Sequence, residues 1–267
     1  MGSERQELAA VVAAIRAHVE FEQVMATPGL PRVQRPEPAP EADAPDPGAA
    51  PASTGAASAA AVPTGELVGL DPEQRVQKLQ VLAEQAVECT DCVLHEQRNR
   101  NVFARGNPDA ELVFVGEGPG RDEDRSGLPF VGAAGQLLDK MVVAMGYDRD
   151  DVYICNVVKC RPPENRTPRP EEALACARFL KPQIALVQPK LIVALGRCAA
   201  EHLGVAPAQG SWRGRWGSYA GVPVMPTYHP AYLLRSPEFK RVVWQDLQNV
   251  MGRLGKRPPQ SGGGGRG

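Results

Sequence analysis

The sequence carries almost no net charge: 30 lysines and arginines against 31 aspartates and glutamates leave −1 at neutral pH. With no global basic field, any nucleic-acid partner has to be met by a local patch. No basic stretch followed by a continuous apolar run opens the chain, because Arg16 interrupts the alanine- and valine-rich segment after Met1-Gly2-Ser3-Glu4-Arg5. A secretory leader and a membrane span are therefore not expected, and the expectation is a cytoplasmic protein. Given six cysteines and no sign of export, reduced thiols and metal binding are favoured over a disulfide framework. Nucleotide-cofactor signatures are missing too: Gly116-Glu117-Gly118-Pro119-Gly120 has neither the Gly-x-Gly-x-x-Gly spacing nor a Gly-Lys-Ser/Thr ending. Histidine is scarce, four in all, and His18, His95 and His202 fall on surface or helix patterns, which singles out His229.

What is present divides the chain into four stretches. Residues 1–26 place Leu8, Val11, Val12, Ile15 and Val19 near helical spacing, an amphipathic helix that either docks weakly or binds a repair or replication partner. Residues 27–70 read as a disordered Pro/Ala-rich linker; the nine prolines between Pro28 and Gly65 and the scarcity of apolar residues leave too little to bury against the ordering entropy. Residues 71–255 form the catalytic domain, and residues 256–267, with Pro258-Pro259 and four consecutive glycines, a flexible tail. Within the domain, Asp71-Pro72-Glu73 caps a helix running toward Cys89. The runs Leu112–Val115, Val152–Val158, Leu191–Leu195 and Val222–Met225 have strand length and β-branched character, and helical patterns separate them. This alternation predicts an α/β fold, a central, mainly parallel four-stranded sheet covered on both faces. Ligands of such sheets bind at the carboxyl ends of the strands, so the residues just after each strand carry the functional expectations.

Four cysteines stand out, Cys89-x2-Cys92 with the distant Cys160 and Cys176. Thiolates are soft ligands, and a short bite paired with remote cysteines lets one zinc ion or iron–sulfur cluster staple separate segments together. The glycines of the 116–120 turn let backbone approach a ligand, and Glu117 within it is placed for acid/base or electrostatic work. Phe130 precedes a helix on a loop returning over that turn, where it either packs in the core or stacks on a ligand. Asn156 ends the second strand; its amide offers the donor and acceptor needed to read a planar base, or else serves a turn. His229 is predicted to end the last strand, with its backbone fixed by Pro230.

Taken in order, the Cys-x2-Cys pair, GEGPG, RSGLPFVGAAGQLLD, CNVVKCRPPENRTPRPEE with Cys176, ALGR and YHPAYLLR resemble the family 4 uracil-DNA glycosylases from about Cys89 to Arg253. The resemblance implies a three-layer α/β/α sandwich, a [4Fe-4S] cluster on Cys89, Cys92, Cys160 and Cys176, and hydrolysis of the N-glycosidic bond to uracil in DNA. It implies that Gly116, Glu117 and Gly118 wall the uracil pocket, that Phe130 stacks on the flipped base, that Asn156 bonds its edge, and that His229 donates to O2. Glu117 is the candidate for steadying the sugar cation or orienting water; the best-known uracil glycosylases have an aspartate one residue later, where this chain has Gly118. Base flipping calls for a wedge, expected at Leu233 or Leu234, and for phosphate contacts from Arg235, Arg161, Lys159, Arg166 and, less directly, Arg213 and Arg215. Cys155 and Cys198 fall outside the ligand pattern, and zinc in the same cage is the alternative metal. Relatives that become covalently linked to DNA carry an inserted Lys-Arg-Arg-Ile-His segment, whereas Lys159-Cys160-Arg161-Pro162-Pro163-Glu164-Asn165 here holds no histidine. A noncatalytic iron–sulfur DNA-binding module is the remaining alternative, and a monomer is expected because a one-domain flipping site requires no symmetry.

Overall fold

The computed structural model describes residues 69–207 and 210–257. The expected N-terminal helix, nearly all of the linker and most of the tail lie outside the described residues. Asp71 caps a helix as anticipated: it accepts from the Gln74 amide at 2.9 Å while the Gln74 side chain accepts from its own, a reciprocal cap for α1 (Pro72–Val87). The chain then runs through β1 (Ala104–Gly106), β2 (Leu112–Gly116), α2 (Arg121–Ser126), α3 (Ala133–Ala144) and β3 (Tyr153–Asn156). It continues through α4 (Pro170–Val187), β4 (Leu191–Leu195), α5 (Arg197–His202), β5 (Gly217–Tyr219), β6 (Val222–Thr227), α6 (Pro230–Arg235) and α7 (Lys240–Arg253).

The sheet order is β1-β3-β2-β4-β6-β5. The four inner strands are parallel and are the four read from the sequence; β1 and β5 add antiparallel edges, so the sheet has six strands rather than four. Each edge strand is only three residues long and partly exposed, which leaves no apolar run or alternation to reveal it. Burial on both faces explains the continuous apolar reading of the inner strands. Val113, Val115, Tyr153, Cys155, Ile192 and Ala194 point to one core with α1, α4 and α5. Leu112, Phe114, Ile154, Leu191, Val193 and Leu195 point to the other, with α3, α6 and α7. Helices on both sides of one sheet give the α/β/α layering, and the β2–β3 register sets Gly116 directly beside Asn156 at the carboxyl edge.

Candidate active site

Three strand ends build the site. β2 ends at Gly116 and turns through residues 117–120 into α2; β3 ends at Asn156; β6 ends at Thr227, two residues earlier than expected, so that His229 becomes the N-cap of α6. Gly116 is required by space: a Cβ there would stand 2.4 Å from Asn156 Oδ1 and 2.6 Å from the Phe130 ring. The missing side chain lets amide and ring close over the strand end. A cavity of about 480 Å³ opens in front of them, lined by Glu117, Gly118, Phe130, Asn156, His229 and Arg235 among others. Asn156 is 1% exposed and its Oδ1 has no hydrogen-bond partner in the protein, an orphaned acceptor at the cavity wall. Buried polar atoms are rarely left so, and an acceptor held open in a pocket suits a ligand N–H.

His229 is set by its own helix. Its Nδ1 accepts from the Ala231 amide at 3.1 Å, which assigns the ring hydrogen to Nε2. Burial, reinforced by the positive charge of Arg235, lowers the imidazole to about 4, so the ring is neutral at pH 7. Its centroid lies 5.5 Å from that of Phe130, with planes 31° apart. Phe130 itself has φ +55°, a left-handed backbone that bulky side chains rarely adopt and that costs about 1–3 kcal/mol unless its surroundings hold it. Gly135 is part of that hold, since a Cβ there would fall 1.8 Å from the Phe130 carbonyl oxygen. Burial raises the carboxyl of Glu117 above its ordinary range, opposed by Thr167 and, more weakly, by His202.

Of the expected DNA contacts, some are in position and some are not. Leu233 is wholly buried in the α3–α7 core and cannot wedge into DNA; the exposed Leu234 beside it remains the wedge candidate. Lys159 is likewise fully buried, its ammonium donating to the Asn156 carbonyl at 2.7 Å, so it contacts no phosphate. Arg166 forks onto Glu172 at 2.8 and 2.6 Å, and Arg213 onto Asp246 at 2.9 Å to each oxygen. Both guanidinium groups are thus committed internally. Arg235 is exposed at the cavity, Arg215 is exposed, and the half-buried Arg161 donates to Asn165 Oδ1 at 2.7 Å. Sequence reasoning missed Asn165, Thr167, Glu123 and Tyr232, which line the same cavity. Glu164 and Asn165 both adopt left-handed backbone, at φ 55° and 57°, a consecutive pair no local motif announces.

Comparison with known proteins matches residues 103–248 to the model of the uracil DNA glycosylase superfamily. The type-4 uracil-DNA glycosylase of Thermotoga maritima is 45% identical over 187 residues, covering 66% of this chain and 94% of that protein. This chain belongs to the type-4 uracil-DNA glycosylases. The enzyme of that type from Archaeoglobus fulgidus is 40% identical, over 69% of this chain and 97% of its own length. A type-5 uracil-DNA glycosylase from Pyrobaculum aerophilum is more distant, 35% identical over 48% of this chain and 64% of its own.

The four cysteines of this type-4 chain, Cys89, Cys92, Cys160 and Cys176, line one small cavity together with Asp91, His95, Asn101 and Lys159. Arg98 donates to Cys160 Sγ at 3.1 Å, and the Lys159 amide donates to Cys176 Sγ at 3.3 Å. Among the described residues no three His, Cys, Asp or Glu side chains converge as ligands of a single ion. Four thiols around one cavity, two of them accepting from N–H donors, make a donor set that suits a thiolate-bound metal centre. Burial pushes the Cys176 thiol up to about 12 and raises Cys92 and Cys160 as well, so a metal bound there would have to drive their deprotonation. Cys155 is buried in β3 and Cys198 lies 3.6 Å from His202 Nδ1, neither among the cavity residues.

Proposed function

We infer that the protein hydrolyses the N-glycosidic bond of uracil in DNA, leaving an abasic site that initiates base excision repair. The observation that carries this reading is the pairing, in one cavity, of a neutral His229 whose hydrogen is on Nε2 with the unsatisfied Oδ1 of Asn156. A uracil stacked on Phe130 offers an N3–H to that oxygen and a carbonyl to the Asn156 amide, while O2 takes the His229 hydrogen. As the bond breaks, charge builds on the base as an anion and on the sugar as a cation. A preorganised neutral donor at O2 stabilises the first, and Glu117 at the neighbouring wall stabilises the second or orients water. The Asn165 amide, at the same cavity, is a second candidate for holding water. Flipping exposes the base to this pocket, with Leu234 filling the gap and Arg235, Arg161 and Arg215 meeting phosphates.

Cys89, Cys92, Cys160 and Cys176 would hold a [4Fe-4S] cluster. When bound, it would supply cross-linking rather than electron transfer, since hydrolysis moves no electrons, tying the segment after α1 to the β3–α4 loop and to α4. A cytoplasmic monomer belongs to the same proposal, the location being in keeping with six unpaired cysteines; among the described residues no helix is long and apolar enough to cross a membrane. The test is uracil release from a single-uracil duplex by anaerobically purified protein, beside the His229→Ala variant and a thymine control. Uracil-specific release that the variant lacks supports the glycosylase; folded, iron-loaded protein that binds DNA and releases nothing makes it the noncatalytic binding module.

A further inference from the structure

Two glutamates face the cavity, and their surroundings assign them different work. Both oxygens of Glu123, in the first turn of α2, are spent on main-chain amides: Oε1 accepts from Val131 and Gly132, each at 2.9 Å, and Oε2 accepts from Gly120 at 3.1 Å. One carboxylate therefore bridges the end of the 117–120 turn and the two residues that follow Phe130. Phe130 is the strained member of that loop, at φ +55°, with its carbonyl pressed onto Gly135. A left-handed aromatic persists only where neighbours over-determine its backbone. Gly135 restrains it from the helix side, and Glu123 restrains it from the turn side, through the two amides immediately after the ring.

We propose that Glu123 is a positioning residue for uracil excision: it locks the Phe130 ring against the 117–120 wall and takes no part in bond breaking. This rests on reading the cavity as a uracil pocket. A ring held only by its own strained backbone would relax toward an ordinary conformation and lose its station 5.5 Å from His229. Stacking and the O2 donor would then no longer address the same base.

Glu123→Gln keeps the size of the side chain but places an amino group where one or more of the three amides now donates. Single-turnover uracil excision is expected to fall about 10- to 100-fold, the cost of a misplaced binding group. In a Phe130→Leu background the same change is expected to cost less than about 2-fold, because both substitutions remove one interaction. Free of substrate, the His229 ring protons, which feel the Phe130 ring current, should shift in Glu123→Gln while the thermal melt stays cooperative. Equal losses in both backgrounds, or an unmoved His229 signal, overturn the proposal. If Glu123→Gln does not fold, Gly135→Ala displaces Phe130 from the opposite side and must show the same non-additivity with Phe130→Leu; additivity there is equally fatal. Wild-type protein that releases no uracil sinks the pocket reading instead, and the His229 shift then decides the role of Glu123 alone.

Discussion

Acidification should put a proton on His229 at a cost that can be read in two ways. Burial and Arg235 hold its imidazole down to about 4, against 6.5 for an ordinary ring. The unfolded chain therefore takes up this proton near pH 6.5 and the folded protein only near 4. Stability from keeping the ring neutral is complete above pH 6.5 and is lost as the pH falls toward 4. At about 1.4 kcal/mol per pH unit the window is worth about 3 kcal/mol, somewhat less because the ring edge reaches solvent through the cavity. Urea denaturation at pH 7 and pH 4.5 should show wild type losing about 2 kcal/mol more than His229→Gln, which has nothing to titrate. The hydrogen-bond pattern adds a second reading. Ala231 N–H needs a bare Nδ1, so nitrogen NMR should find a neutral Nε2–H ring throughout the neutral range, and excision should be flat from about pH 6 to 8. Removing the donor in His229→Ala should cost about 10²- to 10³-fold in excision rate. A His229 ring that titrates near 6.5, or one carrying its hydrogen on Nδ1, would refute the assignment of this residue as a neutral donor.

Other substitutions separate the remaining roles. Asn156→Asp leaves an acceptor without the amide donor; uracil release should drop by about 10²-fold or more, and slow release of cytosine, whose exocyclic amine can donate to a carboxylate, should appear in a cytosine-containing duplex. Leu233→Ala should lower stability by about 2–5 kcal/mol in denaturant titration, because it empties a fully buried position. Leu234→Ala, one residue on, should leave the melt unchanged and slow excision from duplex more than from single strands, since only the duplex needs the vacated space filled. Purified protein should contain iron and absorb broadly in the visible, and Cys176→Ser should abolish that absorption, reduce the iron and lower the melting temperature; an unchanged spectrum would remove Cys176 from the proposed ligand set.

The parts of this molecule that could be read in advance are those where one physical requirement dominates a run of residues. The four inner strands are buried on both faces and had to be apolar throughout, so 112–115 and 191–195 announced themselves. Asn156, the last residue of β3, and His229, two residues beyond β6, could be located because they sit at the ends of such runs. What escaped detection depends on register and on which way one side chain points. Leu233 and Leu234 are indistinguishable in sequence, yet α6 turns the first into the core and leaves the second 38% exposed. Lys159 and Arg161 looked like one basic patch, but their side chains part company at Cys160, the first fully buried and the second reaching toward Asn165. Glu123 gave no signal, since its partners are main-chain amides and any residue type supplies those.

The buried position of Lys159 also bears on why a hydrolase should keep four thiols in a cage at all. Its amide donates to Cys176 Sγ at 3.3 Å, its carbonyl accepts from Val102 at 2.8 Å, and its ammonium donates to the Asn156 carbonyl at 2.7 Å. Burial works against the charge on Lys159 and lowers its pKa, opposed first by Cys155 and then by Cys176 and Cys160 of the cage. Were Cys160 and Cys176 thiolates of a metal cluster, they would supply further compensation; protonated thiols do not. Asn156, three residues back along the chain, is thus held through its carbonyl by the Lys159 side chain, whose charge a filled cage would help to balance. Under the function proposed above, a filled cage would serve excision by holding the end of β3 in register with Gly116, with no electron required to move.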